Sequence, residues 1–269
     1  MESTEHQKKQ LIFGTPGDYE PMAYHMTYIE SYRGFDIELA WHIASALDCK
    51  PEIVDTTWDT LVQDAKADAF DMAIGGISRT PQREAELTLS DDYLETGKTI
   101  LCRKADAARF TSLAAIDKPD VRVMYNPGGT NESFVKANLH HADCRIFAKN
   151  VDIPHQIVLG KADVMITETV EAAFYLRRFP ELAAPLIDQP FTHEAFCIAM
   201  SPKCANWVGA INHILAKLRA SGKLQEMAQR CIGWPPHANH TESREKTDES
   251  NCCRRDGGRR ARPRRIALP

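Results

Sequence analysis

Two carboxylates three residues apart, Glu168 and Glu171, are the clearest candidates for chemistry in this sequence. They follow an apolar segment at residues 164–166 that is predicted to be a buried strand, and in the helix predicted next they would share one face. One of them could then contact a ligand while the other supports it. A carboxyl group that burial keeps protonated near pH 7 can donate a proton to a leaving group. The alternative is that both acids only favour the start of a helix, where negative charge is stabilising.

The sequence Asn-Pro-Gly-Gly-Thr at residues 126–130 lies between a predicted strand and a predicted helix. Glycine lets the backbone approach a ligand, and a helix N-terminus presents free N–H groups to an anion. The spacing matches no phosphate-binding signature, so a carboxylate fits as well as a phosphate. The alternative is an ordinary turn in which Thr130 hydrogen-bonds to the start of the helix.

Ser78 and Arg83 follow a Gly-Gly turn in the first half of the chain. Arginine can hold a carboxylate with two hydrogen bonds. Alternatively, Arg83 lies on the surface and pairs with Glu84 or Glu86. Trp58 could supply a flat wall for an unsaturated ring, or it could fill the core.

Alternating strands and helices must position these residues. Apolar strands are predicted at residues 11–13, 51–54, 70–74, 98–102, 121–125, 144–147, 164–166 and 196–200. Helices are predicted at residues 35–47, 58–67, 80–87, 130–139, 155–159, 170–178, 207–218 and 224–231. This alternation predicts an α/β fold with largely parallel strand pairing.

A pattern that occurs twice predicts two lobes. In residues 65–74 and again in residues 159–166, a helix ends, an Asp opens a strand, and polar residues follow. Because ligands bind beyond the carboxyl ends of strands in open α/β sheets, two facing lobes would enclose a cleft. We expect lobe 1 at residues 11–101 plus 197–235 and lobe 2 at residues 102–196, with the strands at 98–102 and 196–200 crossing between them as a hinge. The alternative is one continuous sheet without a cleft.

Composition and charge exclude several classes of protein. The chain has 269 residues, 43% of them hydrophobic, and a net charge of −4, which argues against wholesale nucleic-acid binding. No apolar run reaches the roughly 18 residues of a membrane span. Residues 1–10 are polar, so we expect a flexible N-terminus without a visible secretory signal and, for the chain as it stands, a cytoplasmic location.

The C-terminal residues 236–269 are predicted to be a disordered basic tail. From His237 onwards the chain has nine Lys and Arg residues against five Asp and Glu residues, whereas the preceding part has 24 against 32. Such a tail either has no role or contacts RNA, anionic lipid or an import receptor.

The eight cysteines form no metal-binding signature, because no CxxC pair or Cys/His cluster has zinc spacing. We therefore expect no metal. Cys102 and Cys197 lie in apolar segments and are predicted to be buried, whereas Cys252 and Cys253 are predicted to be exposed thiols in the tail. This cysteine usage fits a reducing compartment.

Four segments together resemble the type II periplasmic solute-binding proteins of the polar amino acid class. They are GDYEPMAY at residues 17–24, RGFDIELAWHIASAL at 33–47, FDMAIGGISRTPQRE at 70–84 and DDY at 91–93. The resemblance covers residues 11 to about 235. It implies a two-lobed α/β fold that closes on a small ligand in a cleft between the lobes, and it implies a periplasmic location.

Further segments resemble the cyclohexadienyl dehydratases, which convert prephenate or arogenate to phenylpyruvate or phenylalanine with loss of water and CO2. These segments are TGKT at residues 96–99, YNPGGTNE at 125–132, and GKAD at 160–163 followed by TETVEA at 167–172. In that family one Lys, one Asn and one Glu of these segments line the reactive site, and they correspond to Lys98, Asn126 and Glu171. Glu168 stands where amino-acid-binding relatives usually have an Asp that holds the ligand's ammonium group.

The resemblance therefore implies a lyase without a cofactor, acting on prephenate or arogenate. We expect Glu171 to protonate the ring hydroxyl, while Lys98 and Asn126 position the ring carboxylate and hydroxyl. The expected substrate-binding residues are Tyr19, Trp58, Gly76, Ser78, Arg83, Gly129, Thr130 and Glu168. The alternative is a non-catalytic polar amino acid-binding protein of an ABC transporter. Either protein would have a small molecule as its partner, and either could form a homo-oligomer.

Overall fold

Two five-stranded sheets form the framework of the chain in a computed structural model, which describes residues 9–233. Within this range the first strand begins at Gln10. Residues 1–8, the predicted tail at residues 236–269 and the two tail cysteines lie outside the described residues.

Strands and helices alternate along the described residues, as predicted. The strands, numbered in chain order, are β1 (Gln10–Thr15), β2 (Asp18–Tyr19), β3 (Ala23–Met26), β4 (Ser31–Arg33), β5 (Lys50–Asp55), β6 (Met72–Ala73), β7 (Thr88–Leu89), β8 (Leu94–Thr96), β9 (Lys98–Arg103), β10 (Arg122–Tyr125), β11 (Asp143–Ile146), β12 (Val164–Glu168), β13 (Leu182–Ala183), β14 (Glu194–Phe196) and β15 (Ala199–Met200). The α-helices are α1 (Phe35–Ala46), α2 (Leu61–Lys66), α3 (Pro81–Glu86), α4 (Leu113–Ile116), α5 (Thr130–Asn138), α6 (Ile153–Val158), α7 (Thr169–Arg178), α8 (Val208–Ala220) and α9 (Lys223–Cys231).

Each large sheet mixes parallel and antiparallel pairs. The first has the order β5-β1-β6-β15-β7, and the second has the order β11-β10-β12-β9-β13. The pairs of β1 with β5 and β6, and of β10 with β11 and β12, are parallel as predicted. In contrast, β15 and β9 run antiparallel to their neighbours. The expectation of largely parallel pairing fails at these two strands because each enters its sheet directly after the chain arrives from the other lobe.

The two lobes are connected by an antiparallel pair outside both large sheets, β8 with β14. The predicted crossing at residues 98–102 is therefore wrong, because β9 lies entirely in the second sheet. The strand predicted at residues 196–200 is divided, since Phe196 pairs with β8 whereas Ala199 pairs with β6. The residue-level lobe boundaries, 11–101 plus 197–235 and 102–196, stay a prediction.

Each lobe has its own apolar core, and one helix contributes to both. In lobe 1, α1 buries one face through Ile37, Leu39, Ala40 and Ile43, at the spacing that an amphipathic helix requires. In lobe 2, Ala172 and Tyr175 of α7 pack into the core of that lobe. Val170 and Ala173 of the same helix pack into the core of lobe 1. The two lobes are thus in apolar contact through α7.

Cys102 and Cys197 are fully buried, as predicted. Within residues 9–233, none of the helices combines the length and the apolar character that crossing a bilayer would require.

Candidate active site

A small cavity lies where the two lobes meet. It has a volume of about 20 Å³, which accommodates about one water molecule and is far below the several hundred Å³ of a typical ligand pocket. Its lining residues are Tyr19, Trp58, Gly76, Asn126, Gly129, Thr130, Asn131, Asn150 and Glu168. Seven of these nine are among the predicted site residues, so the structure brings most of that set together, in an arrangement that must widen to admit a ligand.

Lys98 and Glu168 form a buried ion pair beside this cavity. The register of β9 and β12 places the two residues directly opposite each other. The Lys98 ammonium also donates to Thr130 Oγ1 at 2.7 Å and lies 3.6 Å from Glu194 Oε2. Lys98 is only 1% exposed, so an ammonium at this depth needs these anionic and polar partners.

Glu168 is held as a carboxylate. Its Oε1 accepts from Lys98 and its Oε2 accepts from the Tyr19 hydroxyl at 2.8 Å. Burial opposes ionisation, but the charge of Lys98 and the hydrogen bonds outweigh it and lower the pKa of Glu168 below its ordinary value. Both oxygens therefore already have partners within the protein.

Glu171 has the opposite electrostatic environment. It is 0% exposed, its Oε1 accepts from Asn150 Nδ2 at 2.7 Å, and its Oε2 is hydrogen-bonded to the Thr167 hydroxyl. Burial raises the pKa of Glu171 well above its ordinary value, and the negative charge of Glu168 raises it further. A carboxyl group with a raised pKa and one with a lowered pKa thus lie three residues apart at the start of α7, the arrangement that suits distinct acid and support roles.

The N-terminus of α5 is aimed at the same place. Gly129 occupies the position before the first helical residue, so the helix has no side-chain cap there. The hydroxyl of Thr130 accepts a hydrogen bond from Lys98. Asn126 is buried, and its Oδ1 accepts from Asn131 Nδ2 at 3.1 Å. This bond orients the Asn126 amide and leaves its Nδ2 without a hydrogen-bond partner among the described residues. The ordinary capping role considered for Thr130 is therefore not observed.

An aromatic wall from lobe 1 closes the other side. The rings of Tyr19 and Trp58 meet edge to face with 6.2 Å between centroids, and Trp58 Nε1 donates to Asp18 Oδ1 at 2.8 Å. Burial raises the pKa of Asp18 to about 6, against the effect of the Trp58 hydrogen bond. Gly76 has φ of +75°, and a Cβ there would lie 2.5 Å from the Tyr19 ring. Only glycine therefore allows this close approach.

The Gly75–Gly76 turn is itself fixed by a buried carboxylate. Asp36 Oδ2 accepts from the backbone N–H groups of Gly75 and Gly76 at 2.6 and 2.7 Å, and from the Tyr93 hydroxyl at 2.7 Å. The first turn of α1 thereby positions one wall of the cavity.

Ser78 and Arg83 are buried but do not line this cavity. The Arg83 guanidinium donates to the Ser78 carbonyl oxygen at 2.7 Å, and burial lowers its pKa. The alternative of a surface pair is wrong, because Glu84 pairs with Arg79 and Glu86 pairs with Lys66. Within residues 9–233 no carboxylate forms an ion pair with Arg83, so a buried cation is available for an anionic ligand.

Several site residues were missed from the sequence. Asn131 directly follows Thr130 and could have been included with that segment. Asn150 and Glu194 are single polar residues outside any motif, and only the folded chain brings them to the cavity and to Lys98. The Oδ1 atoms of Asn131 and Asn150 are buried and have no hydrogen-bond partner among the described residues.

Two consecutive residues of lobe 1 contact the two ends of α7. Tyr19 binds Glu168 at the N-terminal end. The buried carboxylate of Glu20 accepts from Arg178 at the C-terminal end, 3.2 Å from Nη1 to Oε2, and also pairs with Arg33 of lobe 1. These contacts fasten the two lobes to each other in the closed arrangement.

Comparisons with known proteins agree with this fold. Residues 11–233 match the family described as bacterial extracellular solute-binding proteins, family 3. Cyclohexadienyl dehydratase of Pseudomonas aeruginosa is 38% identical over 229 residues, which are 84% of this chain and 84% of that protein. The crystal structure of an ancestral cyclohexadienyl dehydratase is 42% identical and covers 83% of this chain and 92% of its own, with a TM-score of 0.52. That of an ancestral amino acid-binding protein, described as a precursor of cyclohexadienyl dehydratase, is 30% identical and covers 83% and 95%, with a TM-score of 0.74.

Proposed function

We propose that this chain, which belongs to the bacterial extracellular solute-binding proteins of family 3, is a dehydratase that removes water and CO2 from prephenate and, by the same chemistry, from arogenate. The observation that carries the proposal is Glu171, a fully buried carboxyl group whose pKa is raised by burial, placed behind the cavity between the lobes. The 38% identity to a cyclohexadienyl dehydratase over most of both chains supports it. The products would be phenylpyruvate and phenylalanine, respectively.

Binding a dianion requires cationic and donor groups for both of its carboxylates. Arg83 supplies a buried guanidinium without an ion-pair partner among the described residues, suited to hold one carboxylate with two bonds. The N-terminus of α5 and the Asn126 amide supply N–H donors for the other, next to the Lys98 ammonium. The Trp58 and Tyr19 rings offer an apolar surface to the cyclohexadiene.

The chemical step is a fragmentation assisted by one proton. Glu171 transfers its proton to the ring hydroxyl oxygen, the C–O bond breaks, and its electron pair leaves with water. The C–C bond to the ring carboxylate breaks at the same time, its electron pair enters the ring, and CO2 departs. Glu171 remains as a carboxylate and regains a proton from solvent. Aromatisation supplies the driving force, so we expect no cofactor, and the positioned acid contributes about 10²–10⁴-fold.

The test is to mix the purified chain with prephenate at neutral pH and to follow phenylpyruvate formation. We expect turnover by the native chain and at least about 100-fold less by Glu171→Gln, since the amide cannot donate the acidic proton. Glu226→Gln is the matched control, because Glu226 is an exposed carboxylate that pairs with Lys223. Full activity of Glu171→Gln would refute the assignment of the acid, and an inactive native chain would refute the function.

A second function is a non-catalytic polar amino acid-binding protein. The 30% identity to an ancestral amino acid-binding protein favours it, as does the buried Arg83, which suits an α-carboxylate. Against it, both oxygens of Glu168 already accept hydrogen bonds from Lys98 and Tyr19. The carboxylate expected to hold a ligand's ammonium group therefore already has partners within the protein. Calorimetric titration with standard amino acids decides between the two: tight binding without prephenate turnover would establish the binding protein.

A further inference from the structure

We propose that Asn150 positions Glu171 and the leaving hydroxyl group of the substrate relative to each other, through opposite ends of its side-chain amide. This inference rests on the proposed dehydratase function. It assigns a task to a residue that no sequence motif singles out.

Asn150 lies between Glu171 and the cavity. It is the first residue of a short 3₁₀ turn, Asn150–Asp152, that follows β11. Its side chain is 1% exposed and lines the cavity, whereas Glu171 is not among the lining residues. A ligand entering the cavity therefore meets the Asn150 amide on its way to the acid.

The two ends of this amide are in different situations. Nδ2 donates to Glu171 Oε1 at 2.7 Å, and because the amide is planar this bond fixes the direction of Oδ1. Oδ1 is buried and has no hydrogen-bond partner among the described residues. A buried acceptor without a donor is unfavourable, so a ligand that brings a donor to this point gains a hydrogen bond that the protein alone does not supply.

The leaving group of the proposed reaction is such a donor. The ring hydroxyl carries one hydrogen, which Asn150 Oδ1 would accept, and lone pairs that remain free to receive the proton of Glu171. With Oε1 of Glu171 accepting from Asn150, the acidic proton stays on Oε2, and because Oε2 accepts from the Thr167 hydroxyl this proton is not used in the bond to Thr167. After transfer, the same Asn150 donor stabilises the negative charge that appears on Glu171.

This arrangement predicts a specific pH effect. The titratable groups that face Glu171 are Glu168, Asp18, Tyr19 and Tyr175. The carboxylates disfavour ionisation of Glu171, whereas the Asn150 donor favours it. Removing that donor while leaving the other groups in place should therefore raise the pKa of Glu171 further and make it a weaker acid.

The test compares Asn150→Leu with Asn131→Leu. Asn131 lines the same cavity and has the same kind of unpartnered Oδ1, but it donates to Asn126 instead of Glu171. With prephenate, we expect Asn150→Leu to lower kcat by about 100-fold and to move the basic limb of the pH–rate profile to higher pH. Asn131→Leu should weaken binding without moving that limb. Asn150→Ser, whose short side chain cannot reach Glu171, repeats the test if the leucine variant folds poorly.

A second measurement is independent of turnover. The titration of the Glu171 carboxyl carbon, followed by ¹³C NMR with Glu171→Gln to assign the signal, should shift to higher pH in Asn150→Leu and not in Asn131→Leu. An unshifted titration, or a loss of kcat with an unmoved basic limb, would overturn the role of Asn150. An inactive native chain would instead overturn the proposed function, and the NMR titration would still decide the link between Asn150 and Glu171.

Discussion

Lys98 and Glu168 face each other across antiparallel strands, and their side chains form a buried ion pair beside the cavity. The backbone register alone brings the two charges together, so the pair exists before any ligand arrives. Both partners also reach other elements, Lys98 through Thr130 of α5 and Glu168 through Tyr19 of lobe 1. The pair therefore connects the second sheet to both walls of the cleft.

Breaking this pair should be costly. Lys98→Met leaves Glu168 as a buried carboxylate without its main counter-ion, and we expect a loss of about 3–5 kcal/mol in the free energy of unfolding. Urea denaturation measures it. Lys66→Met removes an exposed pair with Glu86 and should lose less than about 1 kcal/mol. The double variant Lys98→Met/Glu168→Gln should recover part of the loss. Equal losses for Lys98→Met and Lys66→Met would contradict the prediction.

Replacing the buried acid should stabilise the protein. The pKa of Glu171 is raised in the folded state by burial, so between its ordinary value of 4.5 and the folded value the unfolded chain releases a proton that the folded chain keeps. Stability therefore falls as the pH rises through that interval. Glu171→Gln removes this dependence while its amide can still accept from Asn150 and donate to Thr167. Thermal denaturation should show a Tm gain that is larger at pH 8 than at pH 5, and Glu226→Gln should show none. A Tm of Glu171→Gln below that of the native chain at pH 8 would contradict this account.

Gly76 should tolerate no side chain. Gly76→Ala combines a left-handed backbone, φ of +75°, with a Cβ that would lie 2.5 Å from the Tyr19 ring. Gly160 has φ of +69° with open space around it, so Gly160→Ala measures the backbone cost alone, about 1–2 kcal/mol. We expect Gly76→Ala to lose more stability than this and also to weaken ligand binding, as measured by denaturation and by KM. Identical behaviour of the two variants would show that the Tyr19 ring moves aside freely.

Tyr19→Phe should favour separation of the lobes. It removes a hydroxyl that donates to the Glu168 carboxylate across the cleft, a bond to a charged group worth about 1.5–3 kcal/mol. Small-angle X-ray scattering should report a larger radius of gyration for the ligand-free variant. Tyr32→Phe is the matched control, because the Tyr32 hydroxyl donates to Asp55 at 2.7 Å within lobe 1. An expansion in both variants would argue against the cleft as its origin.

Local sequence patterns predicted much of the site because its residues lie at the ends of strands and starts of helices. Glu168 ends strand β12 directly before α7, and Thr130 is the first residue of α5. The residues that were missed depend on contacts distant in sequence. Asn150 meets Glu171 across 21 residues, and the crossing strands pair residues about 100 apart, Thr96 with Glu194. Arg83 is buried although the other residues of α3 are exposed, which a local charge pattern does not indicate.

The paired contacts of Tyr19 and Glu20 limit how α7 can move. A ten-residue helix held at one end could swing about that point. In contrast, α7 is about 15 Å long and is held at both ends, by the consecutive residues Tyr19 and Glu20 of lobe 1. Separating α7 from lobe 1 therefore requires both contacts to break. Glu171 is the third residue of this helix and is fully buried. Under the proposed function, closing the cleft would also exclude water from the acid, so proton transfer would begin only when the ligand is already enclosed.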